Sequence, residues 1–102
     1  MKDIDLYDIN KQLMETTESL GEKLAKLMPV EMEYQSRLDE LQLQSQQANQ
    51  FQREAEARKV IILEPIYLKY QELKLEVKIL YIKFDCLKTV SKNIQSYAYN
   101  EK

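Results

Sequence analysis

Leu6, Leu13, Leu20 and Leu27 recur every seven residues, with Asn10, Thr17 and Leu24 in the alternate layers. This is the heptad seam of an amphipathic helix, and Leu24 is the apolar residue of those alternate layers. Pro29 follows, and the seam resumes with Tyr34, Leu38 and Leu41. The second half repeats the pattern more strongly. Ile66, Tyr70, Leu73, Val77, Leu80, Phe84, Leu87, Ser91, Ile94 and Ala98 alternate steps of four and three. A second apolar stripe, Leu68, Leu75, Ile79, Ile82 and Cys86 with Val90 and Tyr97 beyond, runs along the same segment. At 100° per residue the two stripes lie roughly 130° apart. A helix with two apolar stripes needs two neighbours. The front half can cover the first stripe but offers only scattered extras, Ile9, Met14 and Met28, for the second. Leu68, Leu75, Ile79, Ile82 and Cys86 are therefore the expected interface for self-association or for a partner protein.

Between these halves lies the polar run QSQQANQFQREAEARK, Gln44 to Lys59. Three architectures compete. A continuous rod is suggested by Leu41, Ala48, Ala55 and Ile62, which keep heptad phase. Three helices would follow from breaks at Pro29 and Pro65. A hairpin would turn near Ser45–Asn49, with each proline only kinking its helix. The hairpin is preferred because bundle connections are short and polar. Asn49 also suits an N-cap with Gln52 three residues on, and Glu54 and Arg58 are spaced for a first-turn i,i+4 pair. Pro65 reads as a kink, because the seam passes from Ile62 to Ile66 in phase and an exposed turn would leave Ile61, Ile62, Leu63, Ile66, Tyr67 and Leu68 wet. Folding near residue 47 sets Leu6 against Leu87, Leu13 against Leu80, Leu24 against Tyr70 and Pro29 level with Pro65. A seven-residue repeat also tolerates a slip of one heptad. The expected fold is a single all-α domain, an antiparallel helical hairpin (coiled coil) with Pro-kinked long helices, assembling into a multi-chain helical bundle. Its first helix spans 4–43, its turn 45–49 and its second helix 50–98.

Composition agrees with few turns. One Gly and two Pro stand in 102 residues, against an abundance of the helix formers Gln, Glu, Leu, Lys and Ala. Residues 1–52 carry ten Asp/Glu and five Lys/Arg, whereas residues 53–102 carry ten Lys/Arg and seven Asp/Glu. The halves are thus mildly complementary. The longest aliphatic run, Val60–Leu63, is far too short for a membrane span, and no signal-like start is present. With a lone cysteine, Cys86, the expectation is a soluble protein of a reducing cytoplasm.

The segment from Ser45 to Tyr97, with its polar turn, its Arg-Glu-Ala helix start (Arg53–Ala55), its Tyr70-Gln71-Glu72-Leu73 stretch and its long charged helix, resembles short helical-hairpin proteins of bacteriophage early gene modules for DNA replication and recombination. That resemblance implies a phage or prophage origin, a host-cell cytoplasmic setting and the hairpin. The group has no agreed activity, so no catalytic residue is implied.

Enzymatic chemistry is not expected. No His is present, which removes the commonest general base and metal ligand. Gly21 alone cannot build a phosphate loop. Carboxylate pairs such as Asp39-Glu40 and Glu54/Glu56 read as solvated helix faces, and Cys86 as a small buried hydrophobe. No catalytic, cofactor or metal site is assigned. One constellation suggests binding. Tyr67, Lys74, Tyr81 and Lys88 recur every seven residues with Lys78 and Lys92 beside them. Rings interleaved with lysines suit stacking on bases and contact with phosphates of single-stranded nucleic acid, while the plainer reading is a solvated outer face. The expected function is a non-enzymatic accessory protein that binds itself and a bacterial or phage protein, or single-stranded nucleic acid, in DNA metabolism. The alternatives are a small inhibitor of a host or defence protein and a structural coiled coil of the virion.

Overall fold

The computed structural model describes residues 6–100, and the side chains of residues 6–97. The expected helix start at residues 4–5 lies outside these, as does the side chain of the seam residue Ala98. The described chain is all-α: α1 (Leu6–Gln44), α2 (Gln50–Ile61) and α3 (Pro65–Asn100), packed against each other with no strand among the described residues. By contacts it divides into two compact units, Leu24–Leu75 and a second made of residues 1–23 with 76–102.

Within the 24–75 unit the chain reverses at Ser45–Asn49. Asn49 adopts an extended backbone, and its side chain accepts a 2.8 Å hydrogen bond from the Gln52 amide, capping α2. Ser45 Oγ donates to Glu56 at 2.6 Å and accepts from the Gln47 amide at 3.2 Å, closing the turn. Glu54, spaced to pair with Arg58, accepts instead from Gln50 Nε2 at 3.1 Å. The core of the unit is Leu38, Ala57 and Ile61, flanked by Tyr34, Leu41 and Ile66. Ile61 is fully buried.

The expected single helix over 50–98 is two helices here. Ile62–Glu64 leave the helix, held by short-range bonds from the Leu63 amide to Val60 O and from the Glu64 amide to Ile61 O. Pro65 opens α3 at a position where an N–H would be unpaired anyway. The interruption changes which residues face inward. Ile61 and Ile66 are five apart, about 140° on an unbroken helix, yet both pack on the same core. The inward position is thus Ile61 and not Ile62, and Ala57 and not Ala55: Ile62, Leu63 and Ala55 are exposed. Pro29 lies inside α1, which continues through it.

Register also differs from expectation. Residue numbers add to 101 in each of the pairs Arg37–Glu64, Tyr34–Tyr67 and Glu31–Tyr70. The expected pairing adds to 93 or 94, so in the 24–75 unit the contacts are offset by about one heptad. Pro65 lines one groove with Ser36, Arg37 and Glu40 and not with Pro29, and Tyr70 meets Glu31 and Tyr34 in place of Leu24. A heptad seam presents almost the same apolar surface in both registers, so polar groups choose. Arg37 reaches Glu64 in the observed register, whereas the other would set it level with Ala57.

In the unit built from 1–23 and 76–102, α1 buries Ile9 and Thr16 and half-buries Leu6, Leu13 and Leu20. The alternate layer is therefore Ile9 and Thr16. Asn10 and Thr17, expected there, are exposed. Ile9 is apolar where Asn10 is not, which favours it in the layer. Both threonines satisfy their hydroxyls on their own helix, Thr16 on Gln12 O at 2.7 Å and Thr17 on Leu13 O at 2.8 Å, so burial of Thr16 strands no donor. From α3 this unit buries Val77, Leu87 and Ser91 and half-buries Leu80, Phe84 and Ile94. Lys23 and Glu76 pair at 3.0 Å.

Candidate interaction surface

The sequence-assigned interface residues are all on α3, and all are exposed. In the 24–75 unit, Leu68 and Leu75 keep 61% and 58% of their surface accessible. In the other unit, Ile79 and Ile82 keep 54% and 55%, and Cys86 is an exposed free thiol rather than a buried hydrophobe. Their i, i+3, i+7 spacing puts Ile79, Ile82 and Cys86 on one helix face. Isoleucines at this exposure leave apolar area in water that burial would stabilise at about 25 cal/mol per Å².

The tyrosine–lysine face is divided by the fold. Tyr67 is half-buried, with its ring centroid 6.4 Å from that of Tyr34. Lys74 Nζ lies 4.9 Å from the centre of the Tyr70 ring, a cation–π contact within the same unit. Tyr81, Lys78, Lys88 and Lys92 are exposed, and Lys88 Nζ lies 5.5 Å from the Phe84 ring centre. Tyr67 is therefore tied into an aromatic cluster, while Tyr81 keeps its ring accessible.

Sequence reading missed the polar centre of the 24–75 unit. Arg37 Nε donates to Glu64 Oε1 at 2.7 Å and Arg37 Nη1 to Glu40 Oε2 at 2.9 Å. Hydrogen bonding to Glu64 first, and then to Glu40, holds the guanidinium pKa above its ordinary value. Glu64 Oε2 is buried and has no partner among the described residues. Beside this pair, Tyr34 and Tyr70 lie 4.5 Å apart, and the Tyr70 hydroxyl donates to Glu31 at 3.4 Å. Burial, and next the Glu31 charge, raise the Tyr70 pKa. The signal for this centre was an Arg and a Glu at opposing heptad positions, visible only once the register is known.

Among the described residues no group of three or more metal-ligating side chains comes together. No helix there is long and apolar enough to cross a membrane. No family model matches the chain, and no curated protein or solved structure does either.

Proposed function

We propose that this is a non-enzymatic phage accessory protein. Its helical hairpin self-associates into a multi-chain bundle through Leu68, Leu75, Ile79, Ile82 and Cys86, and it binds a protein partner in DNA replication or recombination within the host cytoplasm. The observation that carries the self-association is the exposure of that α3 stripe on a helix whose other stripe is already packed. Monomers rarely leave such apolar faces uncovered. Single-stranded nucleic acid is the weaker partner, because Tyr67 packs on Tyr34 and two of the lysines lie over the chain's own rings.

Mass in solution tests the reading, by sedimentation over a range of concentrations. A concentration-dependent oligomer is expected, reduced to smaller species when Ile79 and Ile82 become Ser. A strict monomer rejects it. A mobility shift with single-stranded DNA that fades with salt would promote the nucleic-acid arm.

A further inference from the structure

The charges beside the exposed α3 stripe carry orientation. Ile79, Ile82 and Cys86 form the centre of the stripe in the unit containing residues 76–102. Lys78 and Asp85 line one side of it, and Glu76 and Lys83 the other, each pair seven residues apart and all four exposed. Each side therefore carries one positive and one negative charge, two turns apart.

We propose that a second copy of this chain docks on this face antiparallel, about a two-fold axis level with the peptide between Leu80 and Tyr81. The inference rests on the self-association reading above. In this arrangement Ile79 of each copy packs on Ile82 of the other, twice. Lys78 faces Asp85 on one side, and Glu76 faces Lys83 on the other, again twice each. Each of these four charges meets its opposite, with Glu76 shared between Lys83 of the second copy and its own Lys23, 3.0 Å away. The parallel, in-register alternative behaves differently. It sets Lys78 against Lys83 in both copies and leaves Asp85 opposite Val90, following the usual flank-to-flank geometry of parallel helices. Two lysine–lysine contacts replace four opposite-charge contacts, so charge complementarity favours the antiparallel pair.

Cys86 reports the orientation without substitution. In the antiparallel pair the two Cys86 Cα atoms are about 16 Å apart along the axis at 1.5 Å per residue, beyond disulfide reach. In the parallel pair they face each other.

The test uses sedimentation equilibrium on the full chain, its Lys78→Glu and Asp85→Lys variants and the double variant, with helicity monitored by circular dichroism. Treatment of the unsubstituted protein with the thiol oxidant diamide accompanies it. Each single reversal turns two exposed attractions into repulsions, and the expected loss of association is roughly tenfold. The double variant regains association, and diamide yields no Cys86-linked dimer. Tighter association of Lys78→Glu, or efficient Cys86 cross-linking, overturns the antiparallel arrangement while leaving self-association standing. A monomer at all concentrations overturns both.

Discussion

The two units solve the same packing problem with different materials. The 24–75 unit centres on Ile61 and Ala57, both essentially sealed from water, and fastens its helices with Arg37–Glu64, Ser45–Glu56 and Glu31–Tyr70. In the unit of residues 1–23 and 76–102 the most buried of the described side chains is polar, Thr16 at 2%, and Ser91 is buried as well. Its described ion pair between helices is Lys23–Glu76, half in solvent. The first unit contains the information that chooses its own register. The second has a seam with polar layers, fewer fastenings, and a face of Ile79, Ile82 and Cys86 still open. Both units leave part of the α3 stripe open, Leu68 and Leu75 in the first and Ile79, Ile82 and Cys86 in the second, so the contrast lies in how each core is fastened.

The largest expected effect comes from breaking the 24–75 unit at its centre. Ile61→Ala removes the one large side chain that is fully buried among the described residues, and such truncations cost about 2–5 kcal/mol. Against a total of roughly 5–15 kcal/mol for a small domain, that is a severe loss. Urea unfolding followed by circular dichroism reads it, and the same truncation at Leu87 in the other unit, at 9% exposure, should cost less. Equal costs would mean that the two cores differ in composition but not in strength.

Next in size is an effect on register. Arg37→Met keeps the aliphatic stem but deletes both carboxylate contacts, leaving Glu64 with neither oxygen paired by Arg37. The expected outcome is a mixture of registers one heptad apart, since the apolar seams fit both. Nuclear Overhauser contacts between the Tyr34 and Tyr70 rings should weaken, and contacts from Tyr70 to the Leu24 methyls should emerge. An unchanged spectrum would show that the aromatic cluster alone selects the register.

That prediction also explains which parts of the molecule were legible beforehand. Helical character and the inward face of α3 were, because heptad spacing reports the face a helix buries whatever it packs against. The exposure of Leu68, Leu75, Ile79 and Ile82 was legible for the same reason: a stripe without a counterpart stays open. Register was not, since a pattern that repeats every seven residues is nearly unchanged by a shift of seven. Nor was the interruption at Ile62–Glu64. Ile61, Ile62 and Leu63 are equally apolar, and only tertiary packing selects the first for the core and leaves the others in water. In α1 the leucines announced themselves, but the alternate layer could lie three or four residues on. Ile9, read as a scattered extra, proves to be one of the buried layers of α1, with Thr16 seven residues on. The candidate site was legible as a face, while the Arg37 centre required knowledge of what stood opposite.

The less fastened unit should also be the easier to improve. Gly21 lies inside α1 with ordinary negative φ, and a Cβ built there meets nothing within 4 Å. Its flexibility serves no turn, so it costs helix stability. Gly21→Ala should stabilise by about 0.5–1 kcal/mol through the unfolded chain and helix propensity. Thermal unfolding should register the gain. No gain would show that the glycine has a role the fold does not reveal, such as close approach of a partner.

The smallest expected effect is the sharpest probe of the contrast. Thr16 is the most buried of the described side chains of its unit, yet its hydroxyl bonds to Gln12 O of its own helix and so does nothing to hold α1 against α3. Thr16→Val keeps the branched shape and removes both the hydroxyl and its need for a partner. Gln12 O keeps its place in the helix, so no buried acceptor is stranded. Replacement of a satisfied buried hydroxyl by an isosteric methyl is close to neutral or slightly stabilising, within about 1 kcal/mol. In a unit whose register depended on that polar layer, the same change would blur the packing and broaden the unfolding transition. A sharp transition at equal or higher denaturant would mean that the polar layers of this unit are tolerated and not used.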